Sequence, residues 1–315
     1  MQDNRVLAIG LNPVMQKTIV LKHLWENEVN RSASHMLSVA GKGANTARVL
    51  TELGANTIHI SHAGGLFKQT FLDMLSADGI NARIAESGSE IRLCYTLINS
   101  EKNTVTEIVE EATPVEQTTD AEIRSLFLDS LDAVGTVTIS GTKAAGYTED
   151  IIPWMVKEAR SREKIVVLDV KGSDLIRSLE YGPTVIKPNL KEFSETLFPE
   201  HTFKEHKTEV LILDEVKEKM LELERKTGVI TVLTQGAKSV FISHRENVME
   251  LKVEAVVPVN TIGCGDSFTA GLAYGLQMKL PIEKCVEIGI ACGKANALNL
   301  KPGTITGGKI PWVYS

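Results

Sequence analysis

A glycine-rich loop that runs directly into a helix pattern carries the strongest chemical signal in this sequence. It reads NTIGCGD over residues 260–266, and SFTAG follows at once. Glycines let backbone N–H groups converge on one point because positive φ costs them little. A helix N-terminus adds unpaired N–H donors and partial positive charge. The loop is therefore predicted to hold an anion.

Asp266 closes this loop and would face the anion. A carboxylate beside a bound phosphate repels it, so Asp266 has no use there in binding. It has one in catalysis, because it can take a proton from a hydroxyl that attacks phosphorus. The alternative is structural: a glycine-rich helix start that Asp266 simply caps. The loop alone leaves both interpretations open.

A second glycine-rich turn, AGKGAN at residues 40–45, also opens a helix pattern. It is not a P-loop, because GxxxxGK[ST] is absent from the chain. Its glycines permit close approach of a ligand, Lys42 offers a positive charge, and Asn45 offers an amide for hydroxyls. A purely structural turn is the alternative.

Two further motifs follow strand-like runs. In KPNLKE, residues 187–192, Asn189 and Glu192 lie on one face of a first helical turn. Such a pair can hold Mg²⁺ through its waters, or it can form a capping box without any metal. TQGAK, residues 234–238, is a predicted turn between strands on which a ribose or phosphate could lie. An ordinary hairpin turn explains it equally well.

The elements around these motifs alternate between short β-branched runs and helix patterns, which predicts an α/β fold with a mostly parallel sheet covered on both faces. The predicted strands are 6–11, 57–61, 134–140, 165–169, 184–186, 229–234 and 239–243. The predicted helices are 44–53, 67–77, 120–131, 148–161, 190–197, 215–226, 266–276 and 281–299.

Residues 91–110 break this alternation with two strand-like runs around a polar turn, which predicts a β-hairpin. Partner strands are expected within 17–24 and 35–39. Together they predict a small β-subdomain, at about 12–39 and 88–112, inserted into one domain that spans 1–315. Such a lid would cover a ligand at the carboxyl ends of the core strands, where open α/β sheets bind ligands.

Composition excludes several classes of protein. The 315 residues are 43% hydrophobic and 23% charged, as in ordinary soluble proteins. A net charge of −6 and 5% aromatic content argue against nucleic-acid binding. The sequence has no unbroken run of about 18 apolar residues, which is the length that would predict a membrane span. The four cysteines show no metal-type CxxC spacing, which fits a cytoplasmic protein.

The order and spacing of the motifs resemble the ribokinase/PfkB superfamily, and especially the branch that contains 1-phosphofructokinase and tagatose-6-phosphate kinase. Residues 40–45 resemble its GGKGxN signature and residues 261–266 its C-terminal TxGAGD signature. Asn12 and Pro13 resemble the opening Asn-Pro of the branch. The resemblance covers nearly the whole chain. It implies a three-layer, ribokinase-like sandwich with an inserted β-sheet lid, which often forms a homodimer interface.

The resemblance also implies an activity: Mg²⁺-dependent transfer of the γ-phosphoryl group of ATP to a hydroxyl of a sugar or sugar phosphate, with Asp266 as the base. Its implied anion hole is Gly263, Cys264 and Gly265, and its implied metal site is Asn189 and Glu192. The implied nucleotide site is Lys187, Asn189, Thr234, Gly236 and Asn296, the last facing adenine. The implied sugar site is Asn12, Gln16, Gly41, Lys42, Gly43, Asn45, Arg92, Ser140 and Lys143, with Arg92 and Lys143 as candidates for a substrate phosphate.

One departure from the family pattern leaves the substrate open. Gln16 stands where the family usually has Asp, and an amide bonds hydroxyls without bringing a charge. Two alternatives follow: a kinase of an uncharged sugar or nucleoside, and a sugar- or nucleotide-binding regulator without catalysis. The intact loop around Asp266 argues against the regulator. A dinucleotide oxidoreductase is disfavoured because no GxGxxG follows the first strand.

Overall fold

A computed structural model describes residues 5–198 and 209–306, which form thirteen strands and nine α-helices. The strands are β1 (Arg5–Ile9), β2 (Val14–Leu21), β3 (Ser34–Ala40), β4 (Asn56–Ala63), β5 (Asn81–Glu86), β6 (Arg92–Asn99), β7 (Thr104–Val109), β8 (Thr136–Ser140), β9 (Ile165–Asp169), β10 (Val185–Ile186), β11 (Ile230–Thr234), β12 (Ser239–His244) and β13 (Asn247–Lys252). The helices are α1 (Lys42–Glu52), α2 (Lys68–Ala77), α3 (Gln117–Leu131), α4 (Ile151–Ser161), α5 (Gly172–Ser178), α6 (Leu190–Leu197), α7 (Glu209–Thr227), α8 (Cys264–Gln277) and α9 (Ile282–Ala297).

Nine strands form the central sheet in the order β13-β12-β11-β10-β9-β8-β1-β4-β5. The pairs from β11 to β5 are parallel, and β12 and β13 add an antiparallel edge. Carboxyl ends of the parallel strands therefore share one edge of the sheet, where the loops after β1, β8, β9, β10 and β11 converge. The predicted mostly parallel sheet is confirmed.

Alternation along β1 shows why helices cover both faces. Leu7 and Ile9 face an apolar cluster that includes residues of α3, α4 and α7, whereas Val6 and Ala8 face a second cluster with α1, α8 and α9. All four side chains are fully buried. Strands buried on both faces read as continuous apolar runs, so the three-layer sandwich is confirmed.

The remaining four strands form a separate sheet, the lid, in the order β3-β2-β6-β7. The chain leaves the core after β1 to make β2 and β3, and leaves it again after β5 to make β6 and β7. The β6–β7 hairpin and its partner strands confirm the predicted small inserted sheet. Its strands lie within residues 14–40 and 92–109.

Three elements escaped prediction: β5, α5 and β13. Both strands lie at the edges of the central sheet, where one side meets solvent and the apolar run is diluted by residues such as Asn81, Arg83 and Glu250. Among the described residues, no helix has the length and apolar character that crossing a membrane requires.

Candidate active site

A cavity of about 900 Å³ opens at the carboxyl ends of β9, β10 and β11, against the start of α8. Nine residues predicted for the site line it: Lys42, Lys187, Asn189, Glu192, Thr234, Gly236, Cys264, Gly265 and Asp266. The lid residues of the predicted sugar site do not line this cavity. A parallel bridge between Asn189 and Thr234 joins the two motifs at its floor, and residues 234–238 form the predicted turn between β11 and β12.

The glycine loop is built as the sequence predicts, with α8 beginning at Cys264 and Gly263 in the left-handed region at φ 83°. A Cβ on Gly263 would lie 2.5 Å from the backbone nitrogen of Gly303, so only glycine fits. The loop thus brings a helix start to the lining of the cavity, which is an arrangement that binds anions.

Asn296 supports this loop from behind and does not line the cavity. Its side chain is fully buried. Nδ2 donates to the Ile262 carbonyl at 2.8 Å, and Oδ1 accepts from Gly303 N at 2.6 Å and from Ser267 Oγ at 3.1 Å. Both ends of the amide are used inside the protein, so the structure gives Asn296 a supporting role in the loop, and its contact with adenine stays a prediction.

Asp266 lies at the meeting point of the two glycine motifs. One of its carboxylate oxygens accepts a hydrogen bond of 2.8 Å from Asn45 Nδ2, which belongs to the first turn and a half of α1. Burial raises the pKa of Asp266 above its ordinary value, while Lys42 and the hydrogen bond from Asn45 oppose that shift. A carboxylate with a raised pKa is a stronger base when ionised, which suits proton transfer near neutral pH.

Lys42 bridges two carboxylates beside Asp266. Its Nζ lies 3.2 Å from Asp169 Oδ1 and 3.3 Å from Glu192 Oε1. Burial alone would lower the pKa of Lys42, but the field of Asp169, Glu192 and Asp266 raises it above its ordinary value. The lysine is therefore held charged at the mouth of the cavity.

Asp169, at the end of β9, is the centre of this ion cluster and was not among the predicted site residues. It is 1% exposed, lies 3.4 Å from Lys187 Nζ, and accepts a 3.0 Å hydrogen bond from Thr269 Oγ1. Although burial works to raise it, Lys187 and Lys42 hold the pKa of Asp169 below its usual value. A carboxylate that ends an apolar strand was the available signal.

The predicted metal pair adopts its alternative, structural arrangement. Asn189 Oδ1 accepts from the backbone of Glu192 at 2.8 Å, and Glu192 Oε2 accepts from the backbone of Asn189 at 3.0 Å, which is a complete capping box. Within the described chain, no three His, Cys, Asp or Glu side chains are arranged to hold a metal ion. Both residues line the cavity but their oxygens already accept hydrogen bonds within the protein, so the pair fits Mg²⁺ only through its waters.

The predicted sugar site divides between core and lid. Gly43 packs closely against Gly10: a Cβ added to Gly43 would lie 2.4 Å from the Gly10 Cα. Gly43 therefore allows α1 to approach the end of β1. Lys143 pairs with Asp174 of α5, so its charge is already neutralised. Gln16 is 4% exposed and donates to Thr96 Oγ1 at 2.5 Å.

Five buried polar atoms at this end have no partner within the described structure: Asn12 Oδ1, Thr18 Oγ1, Ser38 Oγ, Arg92 Nε and Ser140 Oγ. Buried polar groups are nearly always hydrogen-bonded, and each exception calls for an explanation. Gly41, at φ 94°, lies among them, since its Cβ would be 3.2 Å from the Asn12 carbonyl. The lid end is thus equipped with donors and acceptors that the protein itself leaves unused.

Arg48 was missed by sequence reasoning, although it is 2% exposed at the centre of α1. Its guanidinium donates to Asn45 Oδ1 at 3.1 Å and to Val39 O at 2.6 Å, besides the Pro302 and Gly303 carbonyls. Its charge is balanced by Asp78, 2.8 Å from Nε. Because Asn45 accepts from Arg48 through its oxygen, the nitrogen of the same amide is turned toward Asp266.

Comparison with known proteins identifies a family and related folds. A family model described as pfkB family carbohydrate kinase matches residues 3–307. Two tagatose-6-phosphate kinases of Staphylococcus epidermidis are 26% identical over 98% of this chain and 97% of their own length. The structure of a possible 1-phosphofructokinase from Thermotoga maritima superposes with a TM-score of 0.83 at 22% identity, over 94% of this chain and 93% of that one.

A second solved structure, phosphofructokinase-2 from Escherichia coli in complex with fructose-6-phosphate, has a TM-score of 0.81 at 18% identity. The match covers 98% of this chain and 97% of that chain. At these identities the structural likeness shows a shared fold.

Proposed function

The chain belongs to the pfkB family of carbohydrate kinases, and from that premise we propose that it transfers the γ-phosphoryl group of ATP to a hydroxyl of a sugar phosphate, with Asp266 as the base. One observation carries the proposal. The 2.8 Å hydrogen bond from Asn45 to Asp266 joins the two glycine motifs, so an acceptor hydroxyl and an anion can meet at one carboxylate.

In the proposed reaction, Asp266 takes the proton of the attacking hydroxyl as its oxygen approaches phosphorus. Asn45 fixes one carboxylate oxygen and so orients the base. The backbone donors of Gly263, Cys264 and Gly265 face the transferring phosphoryl group, where fixed dipoles stabilise developing charge. Lys42 and Lys187 bring positive charge to the same place, and phosphoryl transfer asks mainly for such positioning and electrostatics.

The nucleotide is proposed to occupy the 900 Å³ cavity, along Thr234 and Gly236. A Cβ on Gly236 would meet no atom within 4 Å, so the turn is open on that side. Mg²⁺, when bound, supplies charge neutralisation of the phosphates, and Asn189 and Glu192 would hold it through its waters. Full activity after exhaustive chelation would contradict the metal part of the proposal.

A phosphorylated substrate is favoured over a free sugar by the lid. Arg92 donates to the Glu110 carbonyl at 2.9 Å through Nη1, but its buried Nε has no partner among the described residues. The donor fork of a guanidinium matches the geometry of a phosphate group. The names of the tagatose-6-phosphate kinase relatives point to the same class. We place Ser140 and Asn12 near the sugar for the reason given above: each keeps an unused polar atom.

A homodimer through the lid is part of the proposal. Ile108 and Val109 of the edge strand β7 are 53% and 51% exposed, which is unusual for apolar residues on an open sheet edge. Sedimentation that gives only monomer at micromolar concentration would contradict it.

One substrate panel tests the activity. ADP release is measured with fructose-1-phosphate, fructose-6-phosphate, tagatose-6-phosphate, free hexoses and nucleosides, for the wild type and for Asp266→Asn. Turnover of one phosphorylated ketose that falls about a hundred- to ten-thousandfold in the variant is the expected result. Preference for a free sugar would redirect the substrate assignment, and tight ATP binding without any turnover would favour the regulator.

A further inference from the structure

One carboxylate of the lid lies on the same sheet face as Gln16 and has so far been given no role. We propose that Glu107 of β7 is a specificity-determining residue that accepts hydrogen bonds from hydroxyl groups of the sugar, beside the neutral amide of Gln16. The inference rests on the proposed function, which it deepens by naming how the sugar is recognised.

Strand register places Glu107 on a defined face of the lid. Residues paired in register point to the same side of a sheet, as do residues two apart along a strand. Glu107 is opposite Thr96, Thr96 is opposite Thr18, and Gln16 is opposite Ser38. These five residues therefore share one side, the inner lid face.

This face continues into the glycine motif of the sugar site. Two residues before Gln16, Val14 is opposite Ala40 on one side and Arg92 on the other. A Cβ on Gly41 would lie 3.5 Å from Val14 Cγ1. Among the strand residues on the inner lid face, Arg92 is the one cation and Glu107 the one carboxylate.

Some polar groups of the inner lid face have no hydrogen-bond partner in the described structure. Gln16 donates to Thr96, but the hydroxyls of Thr18 and Ser38 are buried without any partner in the described structure, although the two residues are 0% and 1% exposed. Hydroxyls can donate or accept, so they suit a polyhydroxylated ligand. The carboxylate of Glu107 only accepts when ionised and is exposed at the same face.

Glu107 also lies within electrostatic reach of the base. Glu107 is exposed to solvent on one side, yet partial desolvation by the surrounding lid raises its pKa, and the negative charge of Asp266 raises it further. The two residues are 159 positions apart in sequence, but the close approach of Val14 to Gly41 brings the inner lid face beside the start of α1, where Asn45 bonds Asp266. A ligand between them would have its reacting hydroxyl at Asp266 and other hydroxyls at Glu107.

The test is kinetic and uses the sugar phosphate that the wild type turns over fastest, together with its 3-deoxy and 4-deoxy analogues. Variants are Glu107→Gln, Glu107→Asp and, as a matched control, Glu111→Gln, which removes the same charge from an exposed position four residues away. Thermal unfolding verifies that each variant is folded.

The wild type is expected to lose about ten- to hundredfold in kcat/KM with the deoxy analogue that lacks the recognised hydroxyl, as for a hydrogen bond to a charged group. Glu107→Gln should raise the KM for the parent sugar phosphate by a similar factor and no longer discriminate against that analogue. Glu107→Asp should fall between the two. The KM for ATP and the Glu111→Gln enzyme should be unchanged.

An active wild type whose sugar KM and discrimination survive Glu107→Gln would overturn the inference and leave the proposed function intact. A wild type that phosphorylates no sugar phosphate would overturn the proposed function itself. If Glu107→Gln does not fold, unchanged discrimination in Glu107→Asp would still contradict the role of Glu107.

Discussion

Ser140 and Asp169 stand opposite each other in register at the carboxyl ends of β8 and β9, and their surroundings differ completely. Two lysines and a threonine contact the carboxylate of Asp169, so both of its oxygens have partners within the protein. Ser140 is 4% exposed, yet its hydroxyl has no partner in the described structure.

The same contrast separates the two ends of the site. At the phosphoryl end, Lys42, Asp169, Lys187, Glu192 and Asp266 form an ion cluster whose charges balance one another within the protein. At the sugar end, five of the ten unpartnered buried side-chain atoms in the described residues are gathered. Preorganised charge is what transition-state stabilisation requires, whereas unused polar groups are what a ligand can satisfy.

The largest effect is expected from Asp169→Asn, which removes one negative charge from the ion cluster at the phosphoryl end. The variant leaves Lys42 and Lys187 partly or fully buried with less negative charge, and removing one partner of a buried ion pair costs about 3–5 kcal/mol. Urea unfolding should show this loss. Glu158→Gln, which breaks the surface pair with Arg162, should cost less than about 0.5 kcal/mol. Equal losses in the two variants would remove the distinction between the cluster and ordinary surface pairs.

A smaller effect is expected from Arg48→Lys, which keeps the charge beside Asp78 but cannot reach every acceptor of Arg48. Loosening Asn45 should lower kcat about tenfold to a hundredfold, as misplacement of a catalytic group does. Because the hydrogen bond from Asn45 lowers the pKa of Asp266, its loss should raise that pKa. A base works only when ionised, so the acid limb of the pH–rate profile should move to higher pH.

The control for this variant is Arg124→Lys, since Arg124 lies over Trp154 and pairs with Asp120, and none of the three lines the cavity. It should cost stability without moving the acid limb. A profile that stays in place for Arg48→Lys would mean that Arg48 does not orient the base.

The sequence predicted the sandwich, the lid and the loops of the phosphoryl end, because glycine spacing and apolar periodicity are local signals. It did not predict the partners of those loops. Lys42 meets Asp169 across 127 positions and Glu192 across 150, and Arg48 reaches Gly303 across 255. The family resemblance named Asn296 as a site residue, but it did not indicate that the side-chain amide of Asn296 is hydrogen-bonded to the residues that support the glycine loop. A buried hydroxyl without a partner in the described structure, such as Ser140 Oγ, cannot be predicted from the sequence. Whether it has a partner depends on which distant segments of the chain pack around it.

The smallest effect is expected at the open end, from Ser140→Ala. Removing a hydroxyl without a protein partner should leave the free energy of unfolding within about 0.5 kcal/mol of the wild type. The KM for the sugar phosphate should rise about three- to tenfold, as for one neutral hydrogen bond, while the KM for ATP stays constant. Thr138→Val, two residues earlier on β8 and fully buried, should leave both KM values unchanged. A large loss of stability with unaltered sugar KM would show that Ser140 belongs to the core.

The most direct test of the central claim is single-turnover phosphoryl transfer by Asp266→Asn, with nucleotide affinity measured on the same protein by calorimetry. If Asp266 is the base, transfer to the sugar phosphate slows by about a hundred- to ten-thousandfold and ATP binds about as tightly as to the wild type. Transfer within about threefold of the wild-type rate would contradict the assignment, and Asp266 would then be no more than the cap of α8.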